Sequence, residues 1–173
     1  MTVDFAKRRT AMVAAGHWRD RTLLNDLAIH VANTPGKLAI ISCKAHEEAG
    51  PRLTYRDIDI LSTRLARHFA LLGVRKGDVV SFQLPTWWEF SVLHLACLKL
   101  GAISNPLLTI LRERELRFML DQSKARIFVV PSMFRGFDYA AMARSLREKL
   151  SALETLIAPD NQISDLTPLA GLT

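Results

Sequence analysis

The sequence predicts an α/β fold: a layered, largely parallel sheet with helices on both faces. Segments with helical periodicity alternate with short apolar segments along most of the chain, which is the order that parallel strands and their crossover helices require. The segment ARIFVVP, residues 125–131, is apolar without interruption after Arg126, as strands covered on both faces are. A helix within residues 87–100 is apolar nearly all round and therefore needs cover from more than one layer.

The composition is that of a globular protein with a core. The chain has 173 residues, of which 49% are hydrophobic and 23% are charged. Its net charge is +6, but basic residues stand beside acidic ones, as in RERE at 112–115, so solvated helix faces are favoured over nucleic-acid binding. No segment suits a signal core or a membrane span, and a cytoplasmic protein is expected. Cys43 and Cys97 lack the spacing of a disulfide framework or a zinc site.

Three regions are predicted along the chain. Residues 1–21 form a basic N-terminal tail, residues 22–158 form the α/β unit, and residues 159–173 form a linker or the start of a continuation. The last region is polar, prone to turns and without periodicity, so no element is predicted in it.

The unit begins with a helix, a strand and a second strand. Thr22 caps the helix, and Pro35-Gly36 ends it. Four apolar residues share one helix face: Leu24, Leu27, Ala28 and Val31. A short strand follows over residues 38–42, and after a polar loop residues 52–55 form a strand that runs straight into the next helix.

That next helix has the clearest pattern in the chain. Thr54 caps it, Asp57 lies in its first turn, and Gly73 ends it. Its apolar residues recur at intervals of three and four: Ile58, Leu61, Leu65, Phe69 and Leu72. A strand over residues 79–84 follows and stops at Pro85.

Thr86 and Glu89 have the spacing of a capping box, which predicts a helix from Trp87 that Gly101 closes. Residues 102–108 then form a strand broken by Pro106. The remaining elements are a helix over 112–123 with Leu116, Met119 and Leu120 inward, a strand over 125–131, a helix over 139–153 and a last strand over 154–159.

The sequence lacks the short motifs of common catalytic sites. There is no Walker A loop, no G-x-G-x-x-G, no G-x-S-x-G and no H-E-x-x-H. The five histidines are widely spread, and for His68 and His94 a packing role is favoured over that of a general base, because spacing reveals no orienting partner. No motif carries chemistry by itself.

A resemblance emerges from the order of several motifs together. They are Leu-Thr-Tyr at 53–55, Gly73-Val74 with Gly77-Asp78, Leu84-Pro85 with Glu89-Phe90, Leu100-Gly101-Ala102, Pro106-Leu107, Glu115-Leu116, and Ser123 with Ala125. From about Leu23 to Ile157 the chain resembles the N-terminal region of the AMP-forming acyl-CoA synthetases, the adenylate-forming family that includes firefly luciferase and peptide-synthetase adenylation domains. The segments LPTWWEF and LACLKLGA are most similar to the branch acting on short or medium-chain and alicyclic acids, of the cyclohexanecarboxylate type.

The resemblance implies a two-step ligase. ATP and a carboxylate would form an acyl-adenylate and pyrophosphate, and coenzyme A would then displace AMP to form a thioester, with Mg²⁺ neutralising phosphate charge. In that family the ATP-phosphate loop, the acyl pocket and the catalytic lysine follow the region seen here. We therefore assign no catalytic residue, and expect a fragment without ligase activity that binds none of these cofactors tightly and whose partner is the rest of the ligase. The alternative is a stand-alone, non-catalytic binding or scaffolding protein.

Two pairs of residues are candidate contacts of the parent enzyme. Trp87 and Trp88 follow the carboxyl end of a predicted parallel strand and could border a substrate path, although packing where two layers meet is favoured. The resemblance also places Arg112 and Arg114 near coenzyme A phosphates, whereas pairing with Glu113 and Glu115 at the surface is the favoured interpretation. The all-round apolar helix predicts an exposed apolar patch on the isolated chain that binds hydrophobic dye.

Overall fold

The computed structural model describes residues 4–43 and 50–159, together with the backbone of residues 167–168. The helices are α1 (Phe5–Ala14), α2 (Leu23–Asn33), α3 (Tyr55–Leu71), α4 (Trp88–Leu100), α5 (Glu113–Ser123) and α6 (Tyr139–Lys149). The strands are β1 (Leu38–Ile41), β2 (Arg52–Thr54), β3 (Val79–Phe82), β4 (Ile103–Pro106), β5 (Ile127–Val129), β6 (Met133–Phe134), β7 (Phe137–Asp138), β8 (Thr155–Ala158) and β9 (Thr167–Pro168). None of these helices is long and apolar enough to cross a membrane. Helix α1 lies inside the region predicted as a basic tail, and none of its residues is buried.

The main sheet consists of five parallel strands in the order β4-β3-β5-β8-β9, which confirms the predicted parallel sheet. The prediction that the strand within residues 154–159 is the last was wrong. It corresponds to β8, and β9 pairs with it in parallel, with Ile157 opposite Thr167. A two-residue strand has no periodicity to detect, so only its position beside β8 reveals it.

β1 and β2 lie outside the main sheet and form an antiparallel ribbon of two strands. Leu38 pairs with Thr54 and Ile41 pairs with Arg52, with an irregularity between them. The sequence predicted both strands but not their separate sheet. Parallel strands need a crossover between them and antiparallel strands do not, so the lack of a helical pattern between β1 and β2 was the available signal.

Two apolar clusters fill the space between the main sheet and its helices, one on each face. The first cluster joins α3 and α4 to the sheet, and the second joins α5 and α6 to it. Successive residues of β5 point to opposite faces of the sheet, so Ile127 and Val129 belong to the first cluster and Phe128 belongs to the second. Helices on both faces are thereby confirmed, as is the burial on both sides of the strand predicted within residues 125–131, which is β5.

Two residues predicted to face inward are exposed. Met119 on α5 and Ala28 on α2 are both at the surface, whereas Leu116, Leu120 and Leu27 are buried as predicted. Each exposed residue directly adjoins a buried leucine. Successive helix residues are rotated by about 100° around the axis. The buried face of each helix is only one row of leucines wide, so the residue next to a buried leucine lies outside it.

Helix α4 is enclosed as predicted but begins one residue late. Every residue of α4 is buried or half-buried. Trp87 occupies the N-cap position with extended backbone, and no side chain caps the helix, so the predicted capping box of Thr86 and Glu89 is wrong. The Trp87 ring packs edge-on against Phe134, with ring centroids 6.1 Å apart. Trp87, which was predicted to be the first residue of the helix, therefore precedes the helix and packs against a distant residue.

Thr54 makes the capping box predicted for α3. Its hydroxyl accepts a hydrogen bond from the Asp57 N–H (3.2 Å), and the Asp57 carboxylate accepts one from the Thr54 N–H (2.8 Å). We expect Thr54→Ala to lower the free energy of unfolding by about 1 kcal/mol. Thr86→Ala is the matched control and should change it by less than about 0.5 kcal/mol. Equal losses for the two variants in urea denaturation would contradict this assignment.

Arg126 ties together three chain segments at the amino edge of the main sheet. Its guanidinium donates to the carbonyl oxygen of Gly73 (2.6 Å) and to the carboxylates of Asp78 (3.1 Å) and Glu154 (2.6 Å). The Arg75 backbone N–H and the Arg126 guanidinium hold the pKa of Asp78 below its ordinary value. The cluster therefore stabilises the fold through an ionised Asp78.

This lowered pKa predicts a pH dependence of stability. A carboxyl group with a lowered folded pKa stabilises the fold above its unfolded pKa of about 3.9, and the contribution is lost as the pH falls through the folded value. Asp78→Asn should therefore be less stable than the wild type at about pH 7, and the difference should shrink below about pH 4. Urea denaturation at a series of pH values measures it. A difference that stays constant down to about pH 2 would rule out this role of Asp78.

Candidate functional site

The carboxyl ends of β3 and β4 border a crevice. β3 lies between β4 and β5 in the sheet. Helix α4, which connects β3 to β4, packs on one face, and α5, which connects β4 to β5, packs on the other. The connections that leave these two strands therefore pass to opposite faces of the sheet. Open α/β sheets tend to bind ligands in the crevice at such a point.

A cleft of about 350 Å³ lies at this edge of the sheet. Residues 84–86, which follow β3, and residues 106–109, which end and follow β4, line it together with Phe90 of α4. The walls are mostly apolar side chains. An apolar cleft at such a point is a candidate binding site.

Gln83 holds one wall of the cleft in place. Its side chain is fully buried, and Nε2 donates to the carbonyl oxygens of Leu108 (2.7 Å) and Leu111 (3.0 Å). Its backbone N–H donates to the carbonyl oxygen of Val129 on β5 (2.8 Å). Gln83 therefore joins the β5 strand to the loop after β4, which we call the 107–111 loop. No sequence motif marked this residue, because its partners are carbonyl groups 25 and 28 residues away.

Two further side chains bind carbonyl groups of the 107–111 loop. The Tyr139 hydroxyl donates to Thr109 (2.8 Å), and Arg112 Nη1 donates to Thr109 (2.8 Å) and to Leu111 (2.9 Å). With its carbonyl groups turned inward, the loop exposes Leu108 by 70% and Ile110 by 76%. Leu108 and Ile110 are therefore exposed at the carboxyl edge of the sheet. The loop that carries them is held by hydrogen bonds from side chains.

Arg112 has a structural partner that no sequence pattern indicated. Its guanidinium lies over the Phe137 ring, 4.1 Å from the centroid, and its backbone N–H donates to Glu115 (3.2 Å). Glu113 accepts hydrogen bonds from Ser145 (3.1 Å) and from Lys149, so the ion pair of Glu113 lies with Lys149. The favoured interpretation of Arg112 as a surface partner of these glutamates is replaced by loop bonding and ring contact. A contact with coenzyme A stays a prediction.

Trp87 and Trp88 are half-buried and pack against the first apolar cluster, as the packing interpretation requires. A substrate path beside them stays a prediction. Trp87 also connects to Arg112 through successive ring contacts: Trp87 with Phe134, Phe134 with Tyr139, Tyr139 with Phe137, and Phe137 with Arg112. The structure thereby links two candidate residues that lie 25 positions apart in the sequence. Arg114 is exposed on the first turn of α5.

The hairpin of β6 and β7 supplies two of these rings and was missed in the sequence. Phe134 pairs with Phe137 across the two-residue turn Arg135-Gly136. Both turn residues have positive φ angles, 50° and 74°. A glycine in a two-residue turn between aromatic residues was the signal that could have revealed the hairpin.

Two histidines of helices α4 and α2 have side-chain partners. His94 Nδ1 lies 2.8 Å from the Ser104 hydroxyl, and His30 stacks on Tyr55 with centroids 4.6 Å apart. Within the described residues no group of three or more His, Cys, Asp or Glu side chains could hold a metal ion.

Comparison with known proteins identifies the family. The family model described as AMP-binding enzyme matches residues 27–170. The medium-chain fatty-acid–CoA ligase of Escherichia coli (strain K12) is 33% identical over 154 residues, which are 89% of this chain and 26% of the relative. The 2-hydroxy-7-methoxy-5-methyl-1-naphthoate–CoA ligase of Streptomyces carzinostaticus is 35% identical over 146 residues, 84% of this chain and 24% of the relative.

A solved structure agrees with these sequence relatives. The apo structure of MbtA from Mycobacterium smegmatis superposes with a TM-score of 0.82 at 31% identity, and the match covers 100% of this chain and 31% of that one. The chain spans about a quarter of the length of the curated relatives it matches. The motif order, the sheet and the family match agree, and the chain belongs to the AMP-binding enzymes of the adenylate-forming superfamily.

Proposed function

We propose that this chain is the N-terminal part of an ATP-dependent, AMP-forming carboxylic acid–CoA ligase. Such an enzyme converts a carboxylate and ATP to an acyl-adenylate and pyrophosphate, and then forms the CoA thioester with release of AMP. The observation that carries the proposal is the family match over residues 27–170, with CoA ligases among the relatives. Their names support a carboxylic acid as substrate, and the motifs LPTWWEF and LACLKLGA favour a short-chain, medium-chain or alicyclic acid.

ATP, Mg²⁺ and coenzyme A are the cofactors of the proposed parent enzyme. The exposed guanidinium of Arg114, and the N–H groups of Arg112 that do not bind the 107–111 loop, suit phosphate oxygens in charge and geometry. Trp87 and Trp88 border the start of α4 near the carboxyl edge of β3, which supports a place beside a substrate path. We propose no Mg²⁺ ligand among the described residues.

We also propose that these 173 residues do not catalyse adenylation by themselves, since the relatives that carry the activity in their names are about three and a half times as long. The test is acid-dependent exchange of labelled pyrophosphate into ATP, with the purified chain, Mg²⁺ and octanoate or cyclohexanecarboxylate. The E. coli medium-chain ligase is the positive control. We expect background exchange from the chain, and exchange above background would contradict this second proposal.

A chimera tests the first proposal. This chain would replace the matching 154-residue segment of the E. coli ligase, and the same ligase without that segment is the control. We expect acid-dependent exchange from the chimera and none from the control. A soluble, monomeric chimera without exchange would contradict a role for this chain in a ligase and favour a non-catalytic binding protein.

A further inference from the structure

Phe118 lies on the side of α5 that faces away from the main sheet. Leu116 and Leu120, two residues before it and two residues after it, are buried in the second apolar cluster. Two residues of an α-helix correspond to a rotation of about 200°, so the Phe118 ring points away from that cluster, and it is exposed by 69%. A phenylalanine opposite the buried face of its helix adds nothing to the core of this chain.

Phe118 belongs to an exposed apolar surface, which we call the α5 patch and which consists of Phe118, Met119 and Ile103. A groove of about 310 Å³ between α5 and β4 is lined by Phe118, Met119 and Asn105 among others. Ile103 precedes Asn105 by two strand residues, so both lie on the same face of the sheet. The α5 patch therefore extends from the outer side of α5 to the edge strand β4.

A second groove, of about 640 Å³, lies on the other flank of the Phe118 ring. It is lined by Phe118 together with Glu113, Arg114, Arg117 and Asp121. The ring therefore projects between two open grooves. A projecting side chain beside an open groove is the shape that receives the same side chain from a second helix, as knobs enter holes where helices pack.

Backbone pairing at the edge of β4 is an alternative that the strand itself blocks. The N–H groups of Ile103 and Leu107 donate to carbonyl groups of residues 78 and 82. Because successive residues of a strand alternate, Ser104 and Pro106 face the open edge, and proline has no N–H to donate. The side chains of α5, rather than the backbone of β4, are therefore what this surface offers to a partner.

The charges of α5 match those of a second α5 that runs antiparallel to it. Arg114 lies four residues before Phe118 and Asp121 lies three residues after it, and both are exposed on the same groove. If two Phe118 rings meet at a twofold axis, Arg114 lies about 6 Å along the helix from the ring, and Asp121 of the other copy lies about 4.5 Å in the same direction. Twofold symmetry makes this ion pair twice. Lys124 donates to Oδ1 of Asp121 (2.8 Å), which leaves Oδ2 for the second copy.

We propose that the α5 patch is a dimer interface, where a second copy of this chain packs its own α5 antiparallel, with Phe118 at the twofold axis and Arg114 of each copy paired with Asp121 of the other. The proposal goes beyond the proposed ligase function and does not depend on it. Helix α5 has three acidic and two basic residues, so the net charge of +6 on the whole chain is not concentrated there. One helix and a strand edge offer less area than the roughly 1,600 Å² of a standard interface, so the dimer forms only at high protein concentration.

Sedimentation of the chain at a series of concentrations tests the proposal. We expect reversible dimerisation of the wild type. Arg114→Asp and Asp121→Arg each place like charges at both ion pairs, and each should raise the Kd for dimerisation about tenfold or more. Both variants should fold, because an acidic residue in the first turn and a basic residue in the last turn suit the helix dipole. Arg147→Asp and Glu148→Arg, exposed on α6, are the matched controls and should leave the Kd near that of the wild type.

A mixture of the two single variants gives the decisive measurement. The Arg114→Asp variant has carboxylates at both positions and the Asp121→Arg variant has guanidinium groups at both, so their heterodimer contains both ion pairs and either homodimer contains none. Both variants keep a positive net charge, so general attraction does not bring them together. We expect the mixture to dimerise about tenfold or more tightly than either variant alone. A mixture that stays monomeric where the wild type is dimeric would overturn the proposal, as would a wild-type chain that stays monomeric at about millimolar concentration.

The chimera described above distinguishes a second copy from the remainder of a ligase as the occupant of the α5 patch. We expect the chimera to associate at high concentration and to lose this association with Arg114→Asp. A chimera that stays monomeric where the isolated chain dimerises, or whose association Arg114→Asp leaves unchanged, would overturn the proposal. Pyrophosphate exchange is measured separately, so the failure of the dimer and the failure of the proposed function are distinguishable. The coenzyme A contact of Arg114 likewise stays a separate prediction.

Discussion

Phe128→Ala is expected to lower the free energy of unfolding by about 3–5 kcal/mol. Phe128 lies on β5, the central strand of the main sheet, and its side chain is fully buried in the second apolar cluster. Truncation removes a large apolar surface and leaves a cavity between the sheet and helices α5 and α6, which close packing prevents from collapsing fully. Because small domains are stable by only about 5–15 kcal/mol, the variant should unfold at much lower urea concentration.

Phe118→Ala is the matched control on α5. Phe118 is exposed by 69%, so its truncation should change the free energy of unfolding by less than about 0.5 kcal/mol. Phe118 lies on α5 and not on α4, the helix from which the exposed apolar patch was predicted, and dye binding by that patch stays a prediction. Similar urea midpoints for the Phe128 and Phe118 variants would show that the second cluster is not packed as described.

Gln83→Leu is expected to lower the free energy of unfolding by about 1–3 kcal/mol and to loosen the 107–111 loop. The substitution keeps a similar side-chain size but removes both hydrogen bonds that Nε2 donates to the carbonyl oxygens of Leu108 and Leu111. Oε1 of Gln83 is buried and accepts no hydrogen bond from a described group, so its removal offsets part of the loss. Urea denaturation measures the stability, and hydrogen exchange of residues 107–111 measures the loop.

Gln122→Leu controls for the chemical change alone. Gln122 is exposed on α5, and its replacement should leave both stability and exchange of the 107–111 loop near wild type. If Gln83→Leu left the exchange of the loop unchanged, Gln83 would not be what holds this wall of the cleft.

Local sequence patterns were sufficient to predict those elements whose stabilising interactions join residues close together in the chain. The capping box of Thr54 and Asp57 joins residues three positions apart, and the apolar period of α3 is long enough to be distinctive. The same signature failed at Thr86, where α4 starts one residue late and Trp87 packs against Phe134, a residue 47 positions away. A short motif contains no information about such a partner.

The candidate site could be predicted only in part for the same reason. The sequence indicated the carboxyl end of β3 through a strand, a proline and a helix start, and the structure finds a cleft there. Gln83 and Tyr139 were not predicted, because both act by donating to backbone carbonyl groups of a distant loop. Arg112 was predicted as a candidate, but its contacts with Phe137 and with its own loop were not.

By itself, the sequence determined the alternation of helices and strands, the parallel sheet covered on both faces, and the family, since these follow from periodicity and from the order of motifs. Only the tertiary structure decided that β1 and β2 form a separate ribbon, that β9 extends the main sheet, and which donors hold the 107–111 loop. The physical reason is that the spacing of apolar residues along a short segment predicts which face of a helix or strand is buried. Strand pairing and side-chain bonds to distant carbonyl groups depend on which segments the fold brings together.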